Sequence, residues 1–184
     1  CGLRLWTDSC LIVASAGADF HEKYDEWFRT NGLSTKGIAI KTDHTVYQIL
    51  KYRPDGVYDV EYPFGNGFGL VNFGSLRTLP EEVLEFSPGA KGVYVHMHPD
   101  NVFFGKIVEG KRKQGFCLMW EYLPSESVAD GRAFLKKFAG DLDLFSINYP
   151  ESCEIFETDR EEELIEELKA LNIPLILFRV GVRG

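Results

Sequence analysis

The 184-residue chain has no run of about twenty apolar residues, so nothing in it reads as a membrane-spanning helix. Cysteine is scarce and scattered. Cys1, Cys10, Cys117 and Cys153 form no CxxC pair, which speaks against a zinc ribbon and leaves disulfides permitted but not required. Nothing repeats at a fixed period, no segment is of low complexity, and no linker-like stretch divides the sequence. The expectation is one domain over residues 1–184. Basic side chains are in the minority: 20 Lys and Arg face 28 Asp and Glu, a net charge of −8. Such a chain repels nucleic acid and anionic membrane unless a local basic patch exists. The dense basic cluster Lys111-Arg112-Lys113, with Lys106 nearby, reads as a solvated hairpin turn. No secretory leader is recognisable, which makes a cytoplasmic location the default. The opening Cys1-Gly2 also fits a lipid-anchored mature chain, an N-terminal nucleophile or a trimmed sequence.

What is abundant is apolar and aromatic. Hydrophobic residues make up 45% and Phe, Trp and Tyr 14%, enough for a core and incompatible with a disordered chain. Asp19 and Glu22 form a capping-box pattern ahead of Phe20, Tyr24, Trp27 and Phe28 at helical spacing, and Gly32 ends the helix. Cys10 to Ala14 and Leu3 to Trp6 read as short strands. Residues 45–52 and 57–62 flank Arg53-Pro54-Asp55-Gly56, a hairpin signal. Residues 63–69 form a glycine-rich loop, 70–73 a strand and 80–86 a short helix. In the middle, residues 92–98, 102–108 and 115–123 read as three strands joined by tight turns, an antiparallel meander. Helices are expected from Ser127 and from Thr158, the latter with Glu161 as a capping box. Short strands are expected at 142–147, 154–156 and 175–180. The resulting fold class is α+β: one antiparallel hairpin and meander sheet with about four packed helices.

Three constellations bear on chemistry. His96 and His98 lie two apart in a strand and share a face with Tyr94. With Asp100 they are a candidate set for one transition metal, Glu109 and Glu121 being other carboxylates within the region. His96-Met97-His98-Pro99 superficially resembles the HxHP of JAMM metalloproteases, but the Ser and Asp that family needs downstream are missing from 104–110. It also resembles a cupin HxH, but without the Glu that should follow. The second candidate is a thiol nucleophile, Cys10, with His96 or His98 as its base. The third is Cys1 itself. Cys1 with Asp19-Phe20 loosely resembles the opening of choloylglycine-hydrolase-type N-terminal-nucleophile enzymes, although the Arg expected before the Asp is absent. For binding, the candidates are the aromatics Phe64 and Phe68 of the glycine-rich loop and the acidic helix face carrying Glu163, Glu166 and Glu167.

Two functions are therefore carried forward. The first is a non-enzymatic, acidic, immunity-like module that captures a basic protein partner and binds no nucleic acid. The alternative is a small hydrolase or transferase using His96 and His98 with a metal, or with Cys10 or Cys1 as nucleophile.

Overall fold

The computed structural model describes residues 7, 9–54, 58–63, 74–97, 99–123 and 128–183. They fall into two compact units, Cys1–Phe86 and Ser87–Gly184.

In unit 1, strand β1 (Ala14–Gly17), helix α1 (Phe20–Thr30) and strand β2 (Ile38–Thr42) make a parallel βαβ element. The helix forms as its spacing predicts. Phe20 and Phe28 are buried with Ala16 and Leu33, and Cys10, Ile12, Tyr24 and Ile38 pack against that cluster. Gly32 follows the helix at φ 65°. Asp19 does not cap the helix with its side chain. Its carboxylate instead accepts hydrogen bonds from Lys23 Nζ at 2.6 Å and from the Thr45 amide at 2.7 Å. Burial pushes this carboxyl up, but the bonds from Lys23 and from the Thr45 amide and hydroxyl outweigh it and hold it far below the usual range. The expected hairpin is present as β3 (Ile49–Tyr52) and β4 (Tyr58–Glu61), paired antiparallel with Leu50 opposite Val60 and Tyr52 opposite Tyr58. Helix α2 (Pro80–Phe86) is tied to β2 by Lys41 Nζ, which donates to Glu82 at 2.8 Å. The strands expected at 3–6 and 70–73 lie outside the described residues.

Unit 2 corrects the fold class. Its sheet has four strands, β5 (Gly92–Met97), β6 (Cys117–Tyr122), β7 (Leu144–Asn148) and β8 (Leu175–Arg179), in that order, and every pairing is parallel. The architecture is α/β, not an antiparallel meander. The decisive segment is 102–108, expected as a strand. It lies inside helix α3 (Asn101–Gln114). The reason is visible in its burial: Phe103, Phe104, Ile107 and Val108 are buried, a helical stripe rather than an alternation. The supposed turn at Asp100 is the helix start, its carboxylate accepting from the amides of Val102 (2.8 Å) and Phe103 (3.0 Å). The supposed basic turn is the last turn of the same helix, which Gly115 closes at φ 79°. There Lys111 donates to the Asp141 carbonyl at 2.7 Å and pairs with Asp143, and Arg112 bonds Asp141 at 2.9 Å.

Helix α4 (Val128–Phe138) leads through a short 3-10 turn into β7, and helices α5 (Tyr149–Phe156) and α6 (Glu161–Ala170) lead into β8. Residues 154–156, expected as a strand, close α5. The capping box was also misplaced. Thr158 is not the cap of α6, which starts after Arg160; the true box is Asn148 with Glu151 at the start of α5, with Pro150 in its first turn. Crossovers between parallel strands are right-handed, so a sheet that grows in one direction carries its helices on one face. Burial agrees. Val95, Leu118, Trp120, Phe145 and Ile147 alternate onto the helix face with α3 and α4 against them. The rings of Phe104, Trp120, Phe134 and Phe145 meet there with centroids 4.9–5.2 Å apart. The other face stays open, with Leu175 57%, Leu177 50% and Tyr94 44% exposed.

Candidate functional site

In an open parallel sheet, ligands are received beyond the carboxyl ends of the strands, where loops and helix starts converge. In unit 2 that edge is formed by Met97, Tyr122, Asn148 and Arg179, with Gly181 just past β8. On the open face behind it, the register places His96, Glu121, Ser146 and Leu177 in one row.

A polar network crosses these strands. The Tyr94 hydroxyl donates to Glu121 Oε2 at 2.5 Å, and Arg179 Nη1 meets Glu121 Oε1 at 2.9 Å. Arg179 is on β8 and Glu121 on β6, so the guanidinium reaches across β7. Beneath that reach, Ser146 is 1% exposed. Its Oγ and Arg179 Nε are both buried and find no hydrogen-bond partner among the described residues. Tyr94 is held well above the usual phenol range, first by burial and then by its bond to the Glu121 carboxylate.

Asn148 and Glu151 complete the edge. Asn148 Oδ1 accepts from the Glu151 amide, and Glu151 Oε2 accepts from the Asn148 amide, both at 2.9 Å. The Ser152 hydroxyl donates to the Asn148 carbonyl at 2.8 Å. Burial pushes the Glu151 carboxyl up, against the Asn148 amide and the positive charge of Arg179, while the like charge of Glu121 adds to the rise. Glu151→Gln keeps an acceptor for the Asn148 amide and removes the ionisation. A carboxyl raised in the folded state destabilises the fold once it ionises. That cost is absent below the unfolded value of about 4.3 and complete above the folded one. The melting temperature of Glu151→Gln is therefore expected to exceed that of the parent at pH 8 and to match it near pH 4, as followed by scanning calorimetry.

The residues singled out in the sequence fare unevenly. His96 is on the open face, exposed, next to Glu121 in the register. Asp100 is occupied as the cap of α3. Among the described residues no group of three His, Cys, Asp or Glu side chains is arranged to hold a metal. His98, Cys1, Phe64 and Phe68 lie outside the described residues. Cys10 is half-buried and packs against the core of unit 1. Glu163, Glu166 and Glu167 do not form a bare acidic face: Arg160, Lys169 and Arg132 pair with them at 2.5, 2.8 and 3.2 Å. Sequence reasoning missed Arg179, Asn148 and Glu151. Their signals were present: a lone charge ending the apolar run Leu175-Ile-Leu-Phe-Arg, and Asn-x-x-Glu with Pro between, directly after a strand. Unit 1 holds a separate open groove of about 420 Å3, lined by Ser15, Phe20, Tyr24, Trp27, Ile38 and Thr45 among others.

No protein-family model matches the sequence, and no curated protein matches it. Solved structures do match the fold. A PfkB protein from Polaromonas sp. JS666 superposes with a TM-score of 0.65 at 14% identity, covering 94% of this chain and 60% of its own. Aminoimidazole riboside kinase from Salmonella enterica, complexed with aminoimidazole riboside and an ATP analogue, gives 0.64 at 13%, covering 98% and 60%. Fructokinase from Vibrio cholerae O395, bound to fructose, ADP and a calcium ion, gives 0.63 at 12%, covering 94% and 57%. This chain thus spans about 60% of the length of these neighbours. The fold is the α/β fold of PfkB-family carbohydrate kinases. That finding overturns the expectation of a non-enzymatic, immunity-like binding module. Of the two readings, a small transferase agrees better with these neighbours. No helix among the described residues is long and apolar enough to cross a membrane.

Proposed function

We propose that the chain contributes the carboxyl edge of β5–β8 to a phosphoryl-transfer site. The site takes a nucleotide together with a small hydroxylated molecule of the carbohydrate class. The observation that carries this reading is the convergence of Tyr94, Glu121, Glu151 and Arg179 at that edge, in a fold shared with kinases crystallised with ADP or an ATP analogue and a sugar or riboside. Phosphoryl transfer asks little covalent chemistry of a protein; it asks for positioning and for charge to meet the phosphate oxygens. Arg179 supplies such a charge. Its planar fork is held on one side by Glu121, which fixes the direction of the remaining donors. Carboxylates such as Glu121, and the Tyr94 hydroxyl, are groups that recognise sugar hydroxyls by hydrogen bonds.

A calcium ion accompanies fructose and ADP in the Vibrio cholerae neighbour. The described residues of this chain do not form a metal-holding group, and both Glu121 oxygens are already engaged by Tyr94 and Arg179.

Calorimetric titration with ATP, alone and with a panel of pentoses and hexoses, tests the reading. Binding is expected to weaken about tenfold or more in Arg179→Ala, the loss of one charge-assisted contact, with partial recovery in Arg179→Lys. Binding that is absent, or indifferent to both substitutions, would contradict it.

A further inference from the structure

In the row His96, Glu121, Ser146 and Leu177, only Ser146 is buried. A small polar side chain on an open sheet face is buried only if something lies over it. The register names the cover. Arg179 stands opposite Asn148 and Glu121 opposite Ser146, so the guanidinium that joins β8 to β6 crosses β7 between Asn148 and Ser146. The Arg179 side chain is 39% exposed as a whole, yet its Nε is buried. Its inner end is thus covered while its outer end stays accessible.

The Nε–H and the Ser146 hydroxyl are not bonded to each other, and neither finds another partner among the described residues. The groups around them are already engaged. Glu121 accepts from the Tyr94 hydroxyl on one oxygen and from Arg179 Nη1 on the other. The backbone on either side of Ser146 is spent in the ladders to β6 and β8. A buried donor and a buried hydroxyl left unpaired are costly. Where no protein group reaches, an ordered water satisfies such atoms.

We propose that one buried water joins Arg179 Nε to Ser146 Oγ, and that Ser146 is through it a positioning residue for Arg179. The proposal rests on the reading of this edge as a phosphoryl-transfer site. The water accepts from Nε–H and donates to Oγ, so no proton changes owner. A guanidinium held by Glu121 alone can pivot about that one contact. A second anchor at Nε fixes its plane, and the donors that remain meet a phosphate oxygen without first having to be ordered.

Nitrogen-15 spectra of the ligand-free chain test the bridge, and calorimetric titration with ATP tests its role. The Arg179 Nε–H is expected to show a cross-relaxation peak to water. Its exchange with solvent should quicken about tenfold or more in Ser146→Ala and in Ser146→Cys, whose thiol keeps the size but bonds weakly. The backbone amides of β7 should keep their protection in both variants. ATP should bind about three- to fivefold more weakly in both, a smaller loss than in Arg179→Ala. A higher melting temperature in Ser146→Ala with unchanged Nε–H exchange marks the hydroxyl as unpaired and overturns the proposal. So does a parent Nε–H without a water peak, the sign of a direct bond to Ser146. Weaker ATP binding with unchanged Nε–H exchange makes Ser146 a ligand contact and overturns it as well. A chain that binds no ATP overturns the phosphoryl-transfer reading and the positioning role, while the Nε–H spectra still decide the bridge.

Discussion

Gly17→Ala is expected to unfold unit 1 while leaving the sheet of unit 2 intact. A Cβ at Gly17 would lie 2.0 Å from the His44 carbonyl carbon and 2.1 Å from the Thr45 nitrogen. Both are backbone atoms, so no side-chain rotation relieves the overlap. The close approach is fixed from several sides. The Gly17 amide donates to Thr45 Oγ1 at 3.0 Å, and the Thr45 amide donates to Asp19 at 2.7 Å. To admit the methyl group, the 43–45 segment must leave β1 and break both bonds. The cost is about 3 kcal/mol or more, a large share of the stability of so small a unit. Hydrogen exchange read by mass spectrometry checks the outcome by segment. Amides of β1, α1 and β2 should lose protection and those of β6 and β7 should keep it. Gly140→Ala is the control, because a Cβ there meets nothing within 4 Å.

The second large effect is expected at Trp120. Its side chain is 0% exposed and sits among the rings of Phe104, Phe134 and Phe145. Its Nε1–H donates to the Met97 carbonyl at 3.0 Å. Trp120→Ala removes the largest side chain of that core and should cost about 3–5 kcal/mol. Trp120→Phe keeps most of the ring packing but leaves the Met97 carbonyl without that donor, at about 1–2 kcal/mol. Urea denaturation should rank the three proteins in that order. The Phe variant carries the more specific message. Met97 ends β5 at the carboxyl edge, so ligand binding there should weaken by more than the drop in global stability explains.

Much of unit 1 was legible in the sequence. The spacing of Phe20, Tyr24, Trp27 and Phe28 identified α1, and the Pro-Asp-Gly signal identified the β3–β4 hairpin. Unit 2 was not, and the failure has one physical source. Residues 102–108 are apolar and aromatic with a glycine inside, a composition that periodicity cannot divide between a buried strand and a buried helix. Reading them as a strand turned the one βαβ crossover between β5 and β6 into two hairpins and changed the sheet from parallel to antiparallel. The cap at Asp100 and the left-handed Gly115 were the local signals that decide the matter. The site followed the same course. His96 was noticed because histidines two apart are conspicuous, and Glu121 was noted beside it. Arg179 joins Glu121 and the Asn148–Glu151 capping box only when β6, β7 and β8 lie side by side. Their convergence is a property of the parallel order, and no spacing along the chain encodes it. The acidic helix face is paired rather than bare: Arg160 just before the helix, Lys169 within it and Arg132 on α4 meet Glu163, Glu166 and Glu167.

The most direct test of a ligand site at the carboxyl edge is a nitrogen-15 chemical-shift map of the chain titrated with ATP and a pentose. The account predicts that the largest shifts fall on the Arg179 side chain and on the amides of Tyr122, Asn148, Glu151 and Gly181, and that they disappear in Arg179→Ala. Shifts confined to the groove between β1 and α1, or no shifts at all, would contradict it.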